Sequence, residues 1–238
     1  MRSALPVTSA RTARQAFGGD AWVVELEPGA DAALTAARLA LEPDVLYAGP
    51  NHLVPVTGTA SNDSLFDAQY ALESARVPEA WTTSDGTGVL IAIVDTGIEL
   101  DHPDLVHQIA INTAEANGLP GVDDDQNGFT DDIRGYDFTD VPGYPGTGDY
   151  LDRDAVPEDD VGHGTQVAGV AAAERDNGIG IAGVAPGARL LPLRAGFATG
   201  LPFISALLQE DDAAAAILYA ADRGAHVLNL SFGDVVDA

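Results

Sequence analysis

VLIAIVDTGIELDHPDL (89–105) opens on six apolar residues, Val89 to Val94, and closes that run on Asp95-Thr96-Gly97. An unbroken apolar run of this length, stopped by turn residues, suits a strand buried on both faces of a parallel sheet. Open α/β sheets present their functional groups at the carboxyl ends of such strands, where Asp95 stands. Further along, GHGTQVAGVAAA (162–173) sets His163 between two glycines, at the first turn of a helix running through Val167 to Ala173. The Ala/Gly face of that helix can approach a sheet closely. A buried carboxylate accepting from one imidazole nitrogen fixes the tautomer and stabilises the imidazolium, so the other nitrogen can take a proton from a nucleophile. A lone Asp-Thr-Gly or a lone His is more often architecture than chemistry. The two together, in this order and with these flanks, point to an acid–base pair.

The surrounding sequence alternates in the manner of a parallel α/β sheet. Short helices are expected around Ala68–Leu72 and through Val77–Trp81, and a strand over Arg189–Leu193. A helix from about Ile204 to Arg223, capped by Gly224, precedes a buried strand from His226 to Leu230. His226 reads as a packing residue, and His52 as structural or surface. Residues 20–57 form a separate unit, with a strand at Ala21–Leu26, a helix at Asp31–Leu41 and a second strand from Val45 through His52 to Val56. Residues 1–19 read as a disordered N-terminus, 58–63 as a linker, and 64–238 as the larger α/β domain.

Charge excludes several classes of partner. Eleven basic residues, all Arg, stand against 37 acidic ones, a net charge of −26. That balance argues against nucleic acid and anionic membrane surfaces, and a chain without lysine has no Walker-type phosphate loop. With no cysteine there are no disulfides and no thiolate metal sites. No His-Glu-x-x-His occurs, which removes the common zinc-peptidase motif. No apolar stretch reaches a membrane span, and residues 1–19 lack the apolar core of a secretory signal. Of the 37 acids, 18 fall between Asp95 and Asp160. Within this stretch Asp123, Asp125, Asn127, the Phe129 carbonyl and Asp131 sit at alternate positions around Gly128. Calcium, which takes about six to eight oxygen ligands, is the cation such a loop suits; Arg134 at the twelfth position departs from an EF-hand.

The motifs as they stand resemble those of the subtilisin-like serine peptidases, the subtilases, over about Asn62 to Asp234. IVDTGI with HPDL and GHGT-VAG carry the likeness, and GIAGVAPGARLLPLR (180–194) and GAHVLNLSFG (224–233) extend it. The resemblance implies an α/β fold, a subtilisin-like parallel sheet flanked by helices and truncated at its C-terminus. Before it stands a small α+β unit similar to the end of a subtilase pro-peptide, which would act as an intramolecular inhibitor. It implies serine-type endopeptidase activity on polypeptide substrates, with Asp95 the triad acid and His163 the general base. Ser231, Phe232 and Gly233 would line the substrate pocket, with the segment around Gly196 and Gly200 opposite. It also implies a second calcium site from Asp104, Asn177, the carbonyls of Glu174, Ile179 and Ile181, and Asp63. Secretion follows from the resemblance alone.

Two departures stand out. Gln166 replaces the second His of the family motif, at a position without a catalytic role. The family's nucleophilic Ser and oxyanion-hole Asn lie well beyond the Ser-Phe-Gly strand, after which only five residues remain. None of the serines at 3, 9, 61, 64, 74, 84, 205 and 231 suits the role, so these residues alone are expected to be inactive. The alternative expectation is a non-catalytic, calcium-binding pseudopeptidase or interaction module.

Overall fold

The structure, a computed structural model, describes residues 10–16, 21–50, 61–144, 146–201 and 204–233. It divides into two units, residues 1–56 and 57–238. In the first, β1 (Ala10–Ala16) pairs antiparallel with β2 (Ala21–Leu26), and α1 (Ala32–Leu39) follows. Asp31 caps α1, accepting the Leu34 N–H at 2.9 Å, which satisfies one of the amides a helix leaves unpaired at its start. Two expectations need correcting. Part of the N-terminal stretch taken as disordered is strand β1, because β2 finds its hydrogen-bonding neighbour there. Val45–Ala48 is irregular backbone with a bend at Leu46 instead of strand, and Leu46 and Tyr47 are fully or largely exposed. Pro43 and Pro50 bracket that segment and withhold amides a ladder needs. The remainder of the expected strand, 51–56, residue 57 and linker residues 58–60 lie outside the described residues.

The second unit begins with a 3-10 turn (Phe66–Ala68), α2 (Tyr70–Ser74) and α3 (Val77–Ala80), which bury Leu72, Val77 and Trp81 against Ala182. Then come β3 (Leu90–Asp95), α4 (Thr113–Ala116), β4 (Tyr136–Asp137), β5 (Gly146–Thr147) and α5 (His163–Ala172). They are followed by β6 (Arg189–Arg194), β7 (Gly196–Thr199), β8 (Ala206–Leu208), α6 (Glu210–Asp222) and β9 (Val227–Asn229). The main sheet runs β4-β6-β3-β9, parallel throughout, with Asp95 of β3 opposite Arg194 of β6.

Alternation along β3 explains its unbroken apolar sequence. Ile91 and Ile93 pack with Ala168 and Ala172 of α5, while Ala92 and Val94 pack with Ala213, Ala216 and Ala220 of α6. Both faces of the strand are core, so both sets of side chains must be apolar. Full burial of Ile93 or Val94 contributes about 1.5–3 kcal/mol each. β9 is the outer strand of this sheet, paired only with β3 among the described residues, so the strand expected to be buried leaves Val227 48% and Leu230 44% exposed. The exposed His226 just before it accepts the Leu90 N–H through Nδ1 at 3.1 Å.

The segment expected to be helical from Ile204 instead first forms β8, which pairs antiparallel with β7 in a small sheet β5-β7-β8. α6 starts only at Glu210, where Glu210, Asp211 and Asp212 complement the positive end of the helix. It ends as expected at Gly224, whose φ of +75° permits the reversal. No described helix is long and apolar enough to cross a membrane.

Candidate active site

β3 delivers Asp95 at its last residue, and the chain turns at once through Gly97. With φ at +102° and the Pro157 and Glu158 carbonyls where a Cβ would stand, this position requires glycine. α5 delivers His163 at its first residue. The helix can reach the strand end because Gly164 has no side chain: a Cβ there would collide with the Gly97 carbonyl and press on Asp95. His163 Nδ1 lies 2.6 Å from Asp95 Oδ1, which also accepts the Thr96 N–H at 2.8 Å. The Asp95 side chain is 3% exposed and the imidazole 50%. A carboxylate acceptor at Nδ1 selects the tautomer with its proton there, leaving the Nε2 lone pair free. Asp95 Oδ2 is buried without a hydrogen-bond partner among the described residues.

Asp95 and His163 lie in the wall of a cleft of about 830 Å³. Ser231, Phe232 and Gly233 line it as well, and Gly196 and Leu207 contribute from β7 and β8. Gly200 is not among its lining residues. Ser205, taken from sequence as helical, precedes β8, where its carbonyl accepts from Thr199; it too lines the cleft. Ser231 Oγ donates to Asn229 Oδ1 at 2.6 Å, and no serine is hydrogen-bonded to His163 among the described residues.

Sequence reasoning missed the buried Arg194. Its guanidinium, 1% exposed, donates to Asp160 Oδ2 at 2.9 Å, to the Glu158 carbonyl at 3.0 Å and to the Asp149 carbonyl. It also lies 3.5 Å from Asp137 Oδ2. It thereby ties the loop leading to His163 down to the strand beside Asp95. Burial pushes the Asp137 carboxyl up to about 7, against the opposing pull of Arg194 and the Thr139 N–H. An Arg closing an apolar strand is a visible signal, but only the fold gives it partners. Asp159, four residues before His163, was missed as well.

The acidic loop departs from its expected ligand set. Asp123 is spent on the Asn127 and Gly128 amides, Asn127 Oδ1 on the Phe129 amide, and Asp131 on the Gly121 amide. The Phe129 ring packs into an aromatic cluster with Tyr136, Phe138 and Tyr219. The carboxylates that converge are Glu115, Asp125 and Asp132, with one oxygen of each within 4.8 Å of the others. Asp132 accepts from Asn112, Asn127 and Tyr219, and Arg223 approaches it at 3.3 Å. Three converging carboxylates, with one guanidinium beside two of them, fit a divalent cation.

The second expected set is partly assembled. Asp63 accepts the Asp176, Asn177 and Gly178 amides, while Asp104 accepts from Asn177 Nδ2 and the Ile181 amide. Asn177 Oδ1 accepts from Ile179, and the Glu174 amide donates to the Asp104 carbonyl. Asp63 and Asp104 are buried at 5% and 3% exposure. Neither forms an ion pair among the described residues, and their oxygens are taken up by these N–H donors.

Residues 86–238 match the model of the subtilase family. The chain is 36% identical over 192 residues to the thermophilic serine proteinase of Bacillus sp. (strain AK1), covering 80% of this chain and 38% of that one. It is 35% identical over 176 residues to thermitase of Thermoactinomyces vulgaris, covering 74% and 48%. A protease structure from Pseudoalteromonas arctica PAMC 21717 superposes with a TM-score of 0.53 at 27% identity, covering 74% of this chain and 51% of that one. The chain therefore spans less than half the length of these two curated relatives.

Proposed function

Because the chain belongs to the subtilase family, we propose that it carries the acid and base of a serine-type endopeptidase acting on polypeptide substrates. The observation that carries this reading is the 2.6 Å contact between a buried Asp95 and a half-exposed His163 at the edge of a cleft. Asp95 holds the Nδ1 proton and balances the imidazolium. Nε2 takes the proton of a serine hydroxyl as its oxygen adds to the scissile carbonyl, then returns it to the departing amine. The hydroxyl is supplied by polypeptide other than residues 1–238, and these residues alone are inactive. Ser231, Phe232 and Gly233 form one wall for the substrate. The test is casein hydrolysis by the product of the complete reading frame. Hydrolysis stopped by a serine-directed organophosphate is expected, with none by residues 1–238 alone. Absence of hydrolysis by the complete product overturns the proposal.

Residues 20–57 serve in this reading as part of an intramolecular inhibitor, and the mature enzyme is secreted. Calcium is structural, held by Asp63, Asp104, Asn177 and the carbonyls of Glu174, Ile179 and Ile181, and by Glu115, Asp125 and Asp132. A ligand that binds only the folded state stabilises it by mass action, about 2.7 kcal/mol at one hundred times its Kd. Millimolar calcium is therefore expected to raise the Tm of residues 1–238 by about 5–10 °C. EGTA should reverse the rise, and Asp104→Asn should remove most of it. A Tm indifferent to calcium sinks both sites.

A further inference from the structure

α5 starts on a residue that cannot cap it. Its N-cap is Gly162, with φ at +92° and no side chain. The amides of the first turn nevertheless find acceptors, and these come from elsewhere. The Gly164 N–H donates to Thr96 Oγ1 at 3.0 Å, and the Thr165 N–H donates to Asp159 Oδ2 at 2.9 Å.

Those acceptors are themselves joined. Thr96 Oγ1 donates to Asp159 Oδ1 at 2.8 Å, and Thr165 Oγ1 donates to Asp159 Oδ2 at 2.6 Å. Asp159 Oδ1 also accepts the Val161 and Gly162 amides at 2.9 and 2.8 Å. One half-buried carboxylate thus receives five donors from both ends of the Asp95–His163 pair. Thr96 adjoins Asp95 at the end of β3, Gly162 adjoins His163, and Thr165 lies two residues into α5. Thr165 Oγ1 further accepts the Glu99 N–H at 2.9 Å, so the turn after Asp95 is tied to the same node.

We propose that Asp159 is the positioning residue of the proton-transfer pair: its carboxylate fixes the end of β3 to the start of α5 and so sets the Asp95–His163 distance. Its carboxylate has no recorded bond to the imidazole, so it acts through backbone and hydroxyl placement. Both oxygens are needed, because Oδ1 holds Thr96 and the His163 approach while Oδ2 holds the helix. Without the node, α5 can slide relative to β3 over the bare Gly164 surface, and a displacement of about 1 Å at a reacting pair is enough to cost about 10²-fold in rate.

This inference rests on the proposed general-base role of His163 for its kinetic consequence, but its structural content can be measured without turnover. In residues 1–238, a proton held between Nδ1 and a buried carboxylate gives a low-field proton resonance, assigned by its loss in His163→Ala. Asp159→Ala is expected to abolish or exchange-broaden that resonance at a temperature where far-UV circular dichroism shows the chain still folded. If Asp159→Ala does not fold, Asp159→Asn decides, since it keeps one oxygen with its donors and loses the acceptor facing Thr165. It should weaken the signal, and Asp159→Glu should restore less than the native residue. In the complete product, Asp159→Ala is expected to lower kcat by about 10²-fold with KM little changed. A resonance identical to the native one in the folded variant overturns the proposal. Loss of the resonance with no hydrolysis even by the native complete product would sink the peptidase reading while leaving Asp159 as the positioning residue.

Discussion

Asp95→Asn is expected to lower kcat for peptide hydrolysis about 10⁴-fold in the complete product, the scale of loss when a serine-peptidase triad keeps its shape but not its carboxylate. Asparagine fills the same volume and its oxygen can still accept the Thr96 N–H, so the end of β3 should stay in place. What changes is the partner offered to His163 Nδ1. If the amide NH2 faces the ring, it donates to Nδ1, places the proton on Nε2, and removes the lone pair the hydroxyl needs. If the oxygen faces the ring, the tautomer survives but no charge balances the imidazolium. Either arrangement disables the base. The check is kcat and KM on one peptide substrate, with circular dichroism and Tm to show that the fold persists. A loss below tenfold with the fold intact would mean that Asp95 is not the triad acid.

Arg194→Met is expected to destabilise the second unit by about 3–5 kcal/mol, the range found when one member of a buried ion pair is removed. Methionine can occupy the space but leaves Asp137, 2% exposed, without its guanidinium, and frees the Glu158 and Asp149 carbonyls of a donor. The loss should depend on pH. In the native chain the Asp137 carboxyl titrates near 7, above its ordinary value of 3.8, so the folded state holds that proton more tightly than the unfolded state does. Its contribution is therefore present at low pH and declines as pH rises from about 4 to 7. Removing Arg194 takes away the group that opposes the upward push of burial, which steepens the decline. The variant should lose more stability at pH 8 than at pH 5 in urea denaturation of residues 1–238. Equal losses at both values would show that Asp137 is not the group left exposed to the change.

The two motifs were legible because each is local. Val89 to Val94 carries its own burial signal, and Gly162-His163-Gly164 carries its own helix start. The fold places Asp95 and His163 at hydrogen-bonding distance. The β5-β7-β8 sheet was not legible, since strands of two to four residues with Gly and Pro nearby lack a period long enough to detect. The acidic loop shows a different limit. Alternation of oxygen-bearing residues pointed to residues 123–131, of which only Asp125 joins the converging carboxylates; backbone amides claimed Asp123 and Asp131, and the distant Tyr219 and Arg223 settled on Asp132. Choice among neighbouring acids depends on which donors the fold delivers, and for Asp132 these include Tyr219 of α6 and Arg223 just after it.

Residue order by itself determined the α/β class, which residues are proposed as acid and base, and the strongly anionic character, because hydrophobic period, motif chemistry and charge are properties of short segments. Only the tertiary structure decided how the pair is held. Asp159 joins the hydroxyl of Thr96, 63 residues away, to four donors of its own segment, and Arg194 reaches Asp160 in the loop before His163 across 34 residues. A polar side chain acquires a role from the partners that folding brings within about 3 Å, and no local pattern encodes those distances.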